Sequence, residues 1–202
     1  MNYWQSFYKN KKLHKKIDFP SQFAIFCIGE KNSDSNLIEF GCGNGRDAYF
    51  FSKYYKNIYA FDKSKFAINY NKKKFLKSKN LYFNRYDIND KFDFSYIKNK
   101  KKSIYARFFL HSLKDEEIII FTKLCRYLLN NNERVFCEYR THKDKSKKKV
   151  FKKHFRNYLK PQIISNLFKS EKLHKIYQTE GQGYAKYKKE DAYVARQIFI
   201  KK

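Results

Sequence analysis

The feature that most constrains the fold is a glycine-dense turn in the segment LIEFGCGNGRDAYFF, residues 37–51. An apolar run typical of a buried strand is followed by Gly41, Gly43 and Gly45 at alternate positions. The residues from Arg46 onward have the apolar and aromatic content of a packed helix. Glycine adopts positive φ readily and lets another group approach the backbone closely. The segment therefore predicts a strand, a tight turn that a ligand contacts, and a helix.

Strand-like and helix-like segments alternate along the chain after this turn. Strands are predicted at residues 37–42, 58–62, 81–87, 104–110 and 134–140, and helices at residues 46–55, 65–77 and 115–130. Such β-α repeats build a parallel sheet with helices on both faces. After a further helix, two final strands at residues 172–179 and 193–201 have no long helix between them. A hairpin at this point would place one antiparallel strand at the end of the sheet.

We divide the chain into an N-terminal helical extension, residues 1–36, and one α/β domain, residues 37–202. Ser21 is predicted to be the N-cap of the second helix of the extension. The domain carries a basic insertion at residues 143–170, before the last two strands. We predict a lysine-rich loop there, which leads into a helix that ends before Pro161, and then a second short helix at residues 161–170.

The chain is strongly basic, with a formal net charge of +27 over 202 residues. Such a charge suits a nucleic acid or an anionic membrane surface. Lys, Asn, Ile, Tyr and Phe are all abundant, which is also the composition that an AT-rich genome favours. Both explanations stay open. No stretch reaches the ~18 apolar residues of a membrane-spanning helix, and the first residues lack the apolar core of a secretory signal. We therefore expect a cytoplasmic protein.

The glycine turn is compatible with few cofactors. Dinucleotide-binding turns carry G-x-G-x-x-G, and here Arg46 stands where the third glycine belongs. No phosphate-binding G-x-x-x-x-G-K-[ST] is present. Asp62 ends the second strand, about 20 residues after the glycine turn. At this spacing a carboxylate can accept hydrogen bonds from ribose hydroxyls. The four cysteines are scattered without a C-x-x-C pair, so no metal site is predicted. The pattern favours an adenosine cofactor without a 2′-phosphate.

Three segments together resemble the motifs of the class I S-adenosylmethionine-dependent methyltransferases. IEFGCGNGRD is similar to their first motif, IYAFDKS to their second and NRYDIND to their third. The resemblance covers residues 37–140. It implies a Rossmann-like α/β fold with a seven-stranded, mostly parallel sheet, whose last strand is antiparallel and whose helices lie on both faces. It also implies methyl transfer from S-adenosylmethionine, with S-adenosylhomocysteine as the product.

The resemblance also implies which residues contact the cofactor. Gly41 and Gly43 would pass its methionine part, Asp62 would hold the ribose, and Asp87 would face the adenine amino group. The full set of expected cofactor contacts is Tyr8, Glu39, Gly41, Cys42, Gly43, Asp62, Lys63, Asp87, Ile88 and Arg107. Tyr8 belongs to this set because an N-terminal helix can cover a cofactor and exclude water; packing of its aromatic side chains onto the sheet is the alternative.

The fourth predicted strand continues into IYARFFLHSL, which lacks the [DNS]-P-P-[YF] motif of adenine and cytosine amino-methylating enzymes. Methylation of a flipped base is therefore disfavoured. The chain resembles small-molecule methyltransferases, and among them those encoded with bacterial surface-polysaccharide genes. This resemblance implies O-methylation of a small or glycan-linked acceptor, such as a nucleotide-sugar precursor that bears a phosphate or carboxylate. An RNA methyltransferase and a non-catalytic nucleic-acid-binding protein are the alternatives.

Five side chains are candidates for work on the acceptor. A histidine is the usual base near neutral pH, and His111 and His154 are the two candidates. Arg107, Arg140 and Arg156 stand apart from the lysine background and could bind an anionic acceptor, because the guanidinium fork fits phosphate and carboxylate. Internal ion pairs, with Glu138 or Glu180 as partners, are the alternative role of these arginines.

Overall fold

The structure is a computed structural model that describes residues 3–10, 18–30, 35–147, 149–150 and 154–202. The predictions made for the remaining positions, including parts of the N-terminal extension and of the basic insertion, lie outside the described residues. The chain forms two compact units, Met1–Phe92 and Asp93–Lys202.

The first unit contains three parallel strands and four helices among its described residues. Its elements in chain order are α1 (Tyr3–Lys9), α2 (Gln22–Gly29), β1 (Asn36–Phe40), α3 (Arg46–Phe51), β2 (Ile58–Asp62), α4 (Lys65–Lys74) and β3 (Leu81–Arg85). β2 is central and pairs in parallel with β1 and β3. Every residue of β1 and of β2 is buried, as apolar strands covered on both faces require.

Ser21 confirms the predicted start of α2. Its hydroxyl accepts a hydrogen bond from the Ala24 amide at 3.0 Å, which satisfies one of the free N–H groups of the first turn. The same hydroxyl, and the Ser21 amide, donate to the buried Asp47 carboxylate at 2.8 Å each. Asp47 lies in the first turn of α3, so this contact fastens the beginning of α2 to the helix that follows the glycine turn.

The second unit holds the remaining strands and helices. Its elements are α5 (Ser95–Lys98), β4 (Lys102–Arg107), α6 (Asp115–Leu128), β5 (Arg134–Arg140), α7 (Pro161–Ser170), β6 (Leu173–Gly181), β7 (Lys186–Tyr187), β8 (Glu190–Asp191) and β9 (Val194–Lys201). The helix α7 has the predicted bounds, with Pro161 at its first position, where the missing N–H is not needed. The small hairpin of β7 and β8 was not predicted.

Seven strands form one sheet in the order β3-β2-β1-β4-β5-β9-β6, and β9 is antiparallel to both of its neighbours. The mostly parallel sheet with an antiparallel last strand is the predicted fold class. The expectation that the antiparallel strand lies at the end of the sheet is wrong, because β9 lies between β5 and β6. Burial explains the order: β9 is almost wholly buried and needs pairing on both sides, whereas the more polar β6 suits the edge.

The predicted helix ahead of Pro161 is absent from residues 154–160, which have no regular secondary structure apart from one bridge. Leu159 forms this parallel bridge with Thr141, and its carbonyl accepts from the His142 amide at 3.0 Å. A residue before proline is also disfavoured in helical conformation, which keeps Lys160 extended at φ −91° and ψ 123°. The predicted helical insertion is therefore, over these residues, an irregular segment that is bridged to the end of β5 at Leu159.

Candidate active site

The glycine turn between β1 and α3 needs glycine at each of its three positions. Gly41, Gly43 and Gly45 have φ of 75°, 54° and 73°, in the left-handed region that disfavours other residues. A Cβ on Gly45 would lie 2.9 Å from the ring of Phe75 and 3.0 Å from the Asn71 amide group. The turn therefore combines positive φ with close packing, as the sequence predicts.

Asp62 holds the middle of this turn. Its buried carboxylate accepts from the Gly43 amide at 2.9 Å and from the Ser64 amide at 2.8 Å. Burial raises the pKa of Asp62 above its ordinary value of 3.8, although the two amide hydrogen bonds and the charge of Lys63 oppose the rise. An ionised carboxylate can accept about four hydrogen bonds, so Asp62 keeps acceptor capacity for the two hydroxyls of a ribose.

Asn71 of α4 holds the same turn from its other side. Its amide nitrogen donates to the Gly43 carbonyl at 2.8 Å, and the side chain is fully buried. The peptide groups on both sides of the Gly43 Cα are thus fixed by two residues, Asp62 and Asn71. Sequence reasoning missed Asn71; the only signal was a polar residue three positions after Ile68, on the buried face of α4.

The helix α1 covers the glycine turn with Tyr8. A Cβ on Gly43 would lie 2.4 Å from the Tyr8 hydroxyl oxygen, so this phenol occupies the open side of the glycine. Desolvation, and then the Asp62 carboxylate, raise the pKa of Tyr8, so the hydroxyl stays protonated as a donor. Gln5, which the sequence did not indicate, donates to the Lys63 carbonyl at 3.2 Å. The expected contact of Tyr8 with the cofactor region is therefore compatible with the structure.

The remaining expected cofactor residues of the first unit lie on or beside the ends of the three strands. Glu39 is buried in β1 and Cys42 is buried in the turn, where burial raises the pKa of the thiol. Asp87 is half-buried just beyond β3, and its carboxylate accepts from the Asn89 amide at 3.3 Å. Ile88 is buried. The Tyr86 amide donates to the Asp62 carbonyl at 3.1 Å, which joins the ends of β2 and β3.

These residues fit an adenosine cofactor carrying an amino-acid tail. The glycine turn lets the Tyr8 hydroxyl approach the Gly43 backbone closely, Asp62 keeps acceptor capacity for a ribose, and Asp87 stands one strand further on. Two of the first-unit residues expected to contact the cofactor, Gly43 and Asp62, are bonded to each other. A bound S-adenosylmethionine supplies an electrophilic methyl group on a sulfonium, with a neutral thioether as leaving group.

In the second unit, β4 ends in a strained turn. Phe108 has a positive φ of 54°, which is uncommon for a bulky residue and is often found at functional sites. Its amide donates to the Glu138 carbonyl at 2.7 Å, and its ring lies 4.3 Å from the Arg107 guanidinium carbon. A single turn of 3₁₀ helix, Leu110–Ser112, then follows. The predicted strand 104–110 is therefore three residues too long at this end.

His111 lies in that 3₁₀ turn and is 4% exposed. Its Nδ1 accepts a hydrogen bond from the Arg140 amide at 3.2 Å, and its ring contacts Phe108 edge to face at 5.1 Å. Burial is the main reason that the pKa of His111 is well below 6.5, and the charges of Arg140, Arg156, His154 and Arg107 lower this pKa further. The imidazole is therefore neutral at physiological pH.

Two of the three candidate arginines are held by carboxylates inside the second unit. Arg107 and Arg196 each donate from Nε to the fully buried Glu138 carboxylate at 2.8 Å. Arg140 donates to Asp144 at 2.7 Å and also pairs with Glu190. The internal ion pairs considered from the sequence are thus present; Glu138 is confirmed as a partner, whereas Glu180 pairs with a lysine.

His154 and Arg156, the other two candidates, lie on the irregular segment before Pro161. The neighbouring Asn157 amide donates to the His111 carbonyl at 2.8 Å, and the Asn157 side chain donates to Asp115 at 2.7 Å. These bonds anchor the segment at the 3₁₀ turn. The second unit therefore brings five side chains together, which we call the basic cluster: Arg107, His111, Arg140, His154 and Arg156.

The described ranges contain no group of three or more His, Cys, Asp or Glu side chains that could hold a metal ion. The four cysteines are free and buried. In the part of the chain that the structure describes, no helix has the length and apolar character needed to cross a membrane.

A Rossmann-like sheet with a buried carboxylate bonded to a glycine turn is an arrangement typical of domains that bind nucleoside cofactors. A family profile described as "Methyltransferase domain" matches residues 10–183, so the chain belongs to this family. It is an S-adenosylmethionine-dependent methyltransferase, and S-adenosylmethionine is its cofactor. No curated protein sequence matches the chain.

Solved structures have the same fold at low sequence identity. A methyltransferase in complex with the Trm112 activator of Haloferax volcanii aligns at TM-score 0.75 and 9% identity, over 99% of this chain and 98% of that one. An Anabaena variabilis methyltransferase aligns at TM-score 0.73 and 14% identity, over 98% of this chain and 93% of that one. The N-methyltransferase NodS from Bradyrhizobium japonicum aligns at TM-score 0.67 and 12% identity, over 88% of this chain and 92% of that one. These likenesses show the fold alone.

Proposed function

We propose that the protein methylates an oxygen of a small or glycan-linked acceptor that carries a phosphate or carboxylate. The observation that carries this proposal is the arrangement around the buried His111: the Arg140 amide donates to its Nδ1 at 3.2 Å, and the amide of Asn157, next to Arg156, donates to its carbonyl at 2.8 Å. Arg156 is half-buried there, and a partly buried positive charge attracts an anionic group more strongly than a fully exposed one, since water screens it less. The enclosed position of His111 also suits a small group better than a duplex.

Arg156 is the residue that we assign to the acceptor's anionic group. It lies next to Asn157, whose amide is bonded to the His111 carbonyl at 2.8 Å, so its backbone position is fixed. A guanidinium can bind phosphate or carboxylate through two parallel hydrogen bonds. We assign Arg107 and Arg140, which are paired with carboxylates, to the electrostatics and shape of the site. His154 is the proposed base, because the Nδ1 of His111 already accepts a hydrogen bond.

For the cofactor we assign the roles that the motifs suggest. Asp62 accepts from the ribose hydroxyls, Asp87 and the Ile88 backbone face the adenine, and Lys63 flanks it. The turn residues Glu39, Gly41, Cys42 and Gly43 pass the methionine part, and Tyr8 covers it. The transfer is an in-line displacement, so the main task of these side chains is to hold and align the reactants.

The resemblance to methyltransferases encoded with surface-polysaccharide genes supports a glycan precursor as the acceptor. One structural neighbour is described as an N-methyltransferase, so nitrogen is the alternative acceptor atom. A second candidate function is RNA methylation, which the net charge of +27 favours.

A transfer screen with tritium-labelled S-adenosylmethionine tests the acceptor. We expect label in phosphorylated sugars, nucleotide sugars or carboxylated metabolites, and little in bacterial RNA or neutral glycans. Arg156→Ala should raise the acceptor KM by roughly tenfold or more, as loss of a charge-assisted hydrogen bond predicts. Arg85→Ala, which removes an exposed arginine from the first unit, is the matched control and should leave KM unchanged. Label found mainly in RNA would refute the proposal.

A further inference from the structure

The two ring nitrogens of His111 have different surroundings. Nδ1 faces the Arg140 amide, which donates to it at 3.2 Å. A neutral imidazole has one nitrogen with a proton and one with a lone pair. Because an N–H donor occupies Nδ1, the lone pair lies there and the proton lies on Nε2. The backbone of β5 therefore fixes the tautomer of the ring.

This tautomer leaves His111 without a nitrogen that could take a proton from an acceptor. The lone pair of Nδ1 is already engaged, and Nε2 carries the proton. Protonation of Nδ1 would place its new N–H directly opposite the Arg140 amide N–H, and the two donors would repel each other. It would also add a positive charge beside Arg140, Arg156, His154 and Arg107. Both effects oppose the imidazolium form that a base must pass through.

Nε2–H is a hydrogen-bond donor on a side chain that is only 4% exposed, and no group of the described residues hydrogen-bonds to it. Among the described residues, Nε2 is not one of the fully buried polar atoms that lack a partner, so it stays accessible to a ligand. Phe108 contacts the ring edge to face and the Arg140 amide holds Nδ1, so the ring has a defined orientation. The donor is thus presented in a fixed orientation.

We infer that His111 binds the acceptor by donating a hydrogen bond from Nε2 to an anionic oxygen, and does not act as the base. This inference rests on the proposed function, which supplies the anionic acceptor. His111 keeps the same protonation state throughout, and a proton released by an acceptor hydroxyl goes to another group. The basic cluster around it then has a clear purpose: it keeps the imidazole neutral and attracts the oxygen that Nε2–H meets.

Nitrogen NMR of histidine-labelled protein tests the tautomer without any methyl transfer. The signal of His111 is identified by its loss in His111→Leu. We expect the Nε2–H form at about neutral pH, and we expect added inorganic phosphate to shift its Nε2–H proton. His174, on β6 and outside the basic cluster, is the control within the same spectrum. An Nδ1–H tautomer, an imidazolium, or a phosphate response no larger than that of His174 would overturn the inference.

Transfer kinetics test the role. His111→Gln keeps an amide donor near the position of Nε2, whereas His111→Leu keeps an apolar side chain of similar size without a donor. We expect the kcat of the glutamine variant to stay within about tenfold of the parent value. We expect the kcat of the leucine variant to fall by about 10²–10³-fold, the usual effect of one missing donor. Equal loss in both variants, with S-adenosylhomocysteine binding intact, would indicate a base and overturn the inference. If the parent methylates no anionic acceptor, the proposed function fails, and the NMR result alone decides this inference.

Discussion

The backbone on both sides of the Gly43 Cα is fixed: its N–H donates to Asp62 and its carbonyl accepts from Asn71, at 2.9 and 2.8 Å. Its φ of 54° and the nearby Tyr8 hydroxyl leave no room for a side chain. The sequence predicted the glycine and the aspartate, because both belong to a recognisable motif. Asn71 could not be predicted, since its partner is a carbonyl 28 residues away that only the folded chain brings close.

Gly43→Ala should therefore lose both stability and cofactor affinity. An alanine at positive φ costs about 1–2 kcal/mol, and its Cβ would displace the Tyr8 hydroxyl that covers the turn. The matched control is Gly183→Ala, which has φ of 83° but open space around the Cβ position. Gly43→Ala should lose at least as much stability in urea as Gly183→Ala, and only Gly43→Ala should bind S-adenosylhomocysteine at least about tenfold more weakly. Equal binding by the two variants would contradict this role of Gly43.

A second prediction concerns Glu138, whose side chain is fully buried between two arginines. In the sheet it lies opposite Arg107 of β4 and Arg196 of β9, and it pairs with both. Removing one member of a buried ion pair leaves an uncompensated charge and costs about 3–5 kcal/mol. Glu138→Gln should lower the free energy of unfolding by this amount. Asp90→Asn, which removes a half-exposed partner of Arg85, should change it by less than about 1 kcal/mol. Comparable losses in urea unfolding would refute the structural role.

At the scale of elements, the helix α1 is a proposed lid over the glycine turn. It lies against that turn through Tyr8, and Gln5 fastens it to Lys63 and Ser64. Tyr8→Ala should speed the release of S-adenosylhomocysteine and weaken its binding by roughly tenfold. Tyr54→Ala, which removes a 43% exposed tyrosine elsewhere in the first unit, is the control. Stopped-flow release rates that are the same for both variants would show that Tyr8 only packs α1 in place.

Most strands and long helices were predictable, and the predictions that failed concern contacts between distant parts of the chain. Apolar periodicity located β1, β2 and α6 to within two residues at each end, and Pro161 located the start of α7. The irregular segment before Pro161 was predicted as a helix, because lysine-rich composition resembles a solvated helix and the pairing of Leu159 with Thr141 is non-local. The position of β9 inside the sheet depends in the same way on pairing between distant strands, which periodicity does not report.

The cofactor site was more predictable than the acceptor site for a similar reason. The former depends on short motifs at the ends of consecutive strands, and the latter on contacts between residues far apart in the chain. Arg107 and Arg140 were candidates for acceptor binding, yet Glu138, Asp144 and Glu190 hold them. The tautomer of His111 depends on an amide 29 residues away, so sequence alone could not distinguish a base from a donor.

At the scale of the whole molecule, the charge of +27 makes a prediction about RNA. If this charge is compositional, RNA binding should be non-specific, with a Kd of roughly 10⁻⁴–10⁻⁶ M at physiological salt and a steep loss as salt rises. Fluorescence anisotropy with single-stranded RNAs of different sequence measures this directly. Nanomolar affinity for one RNA at that salt, with other sequences binding far more weakly, would favour the RNA methyltransferase alternative.

Calorimetric titration with S-adenosylhomocysteine tests the central claim, a cofactor site built on Asp62 and the glycine turn. The parent should bind one equivalent at pH 7.5, and Asp62→Asn should bind at least about tenfold more weakly, because two ribose hydroxyls lose a charged acceptor. Burial raises the pKa of Asp62 above 3.8, and only the ionised carboxylate is the full acceptor. Affinity of the parent should therefore fall as pH drops through that pKa, and affinity of Asp62→Asn should not. No binding by the parent, or equal binding by both proteins, would contradict the account.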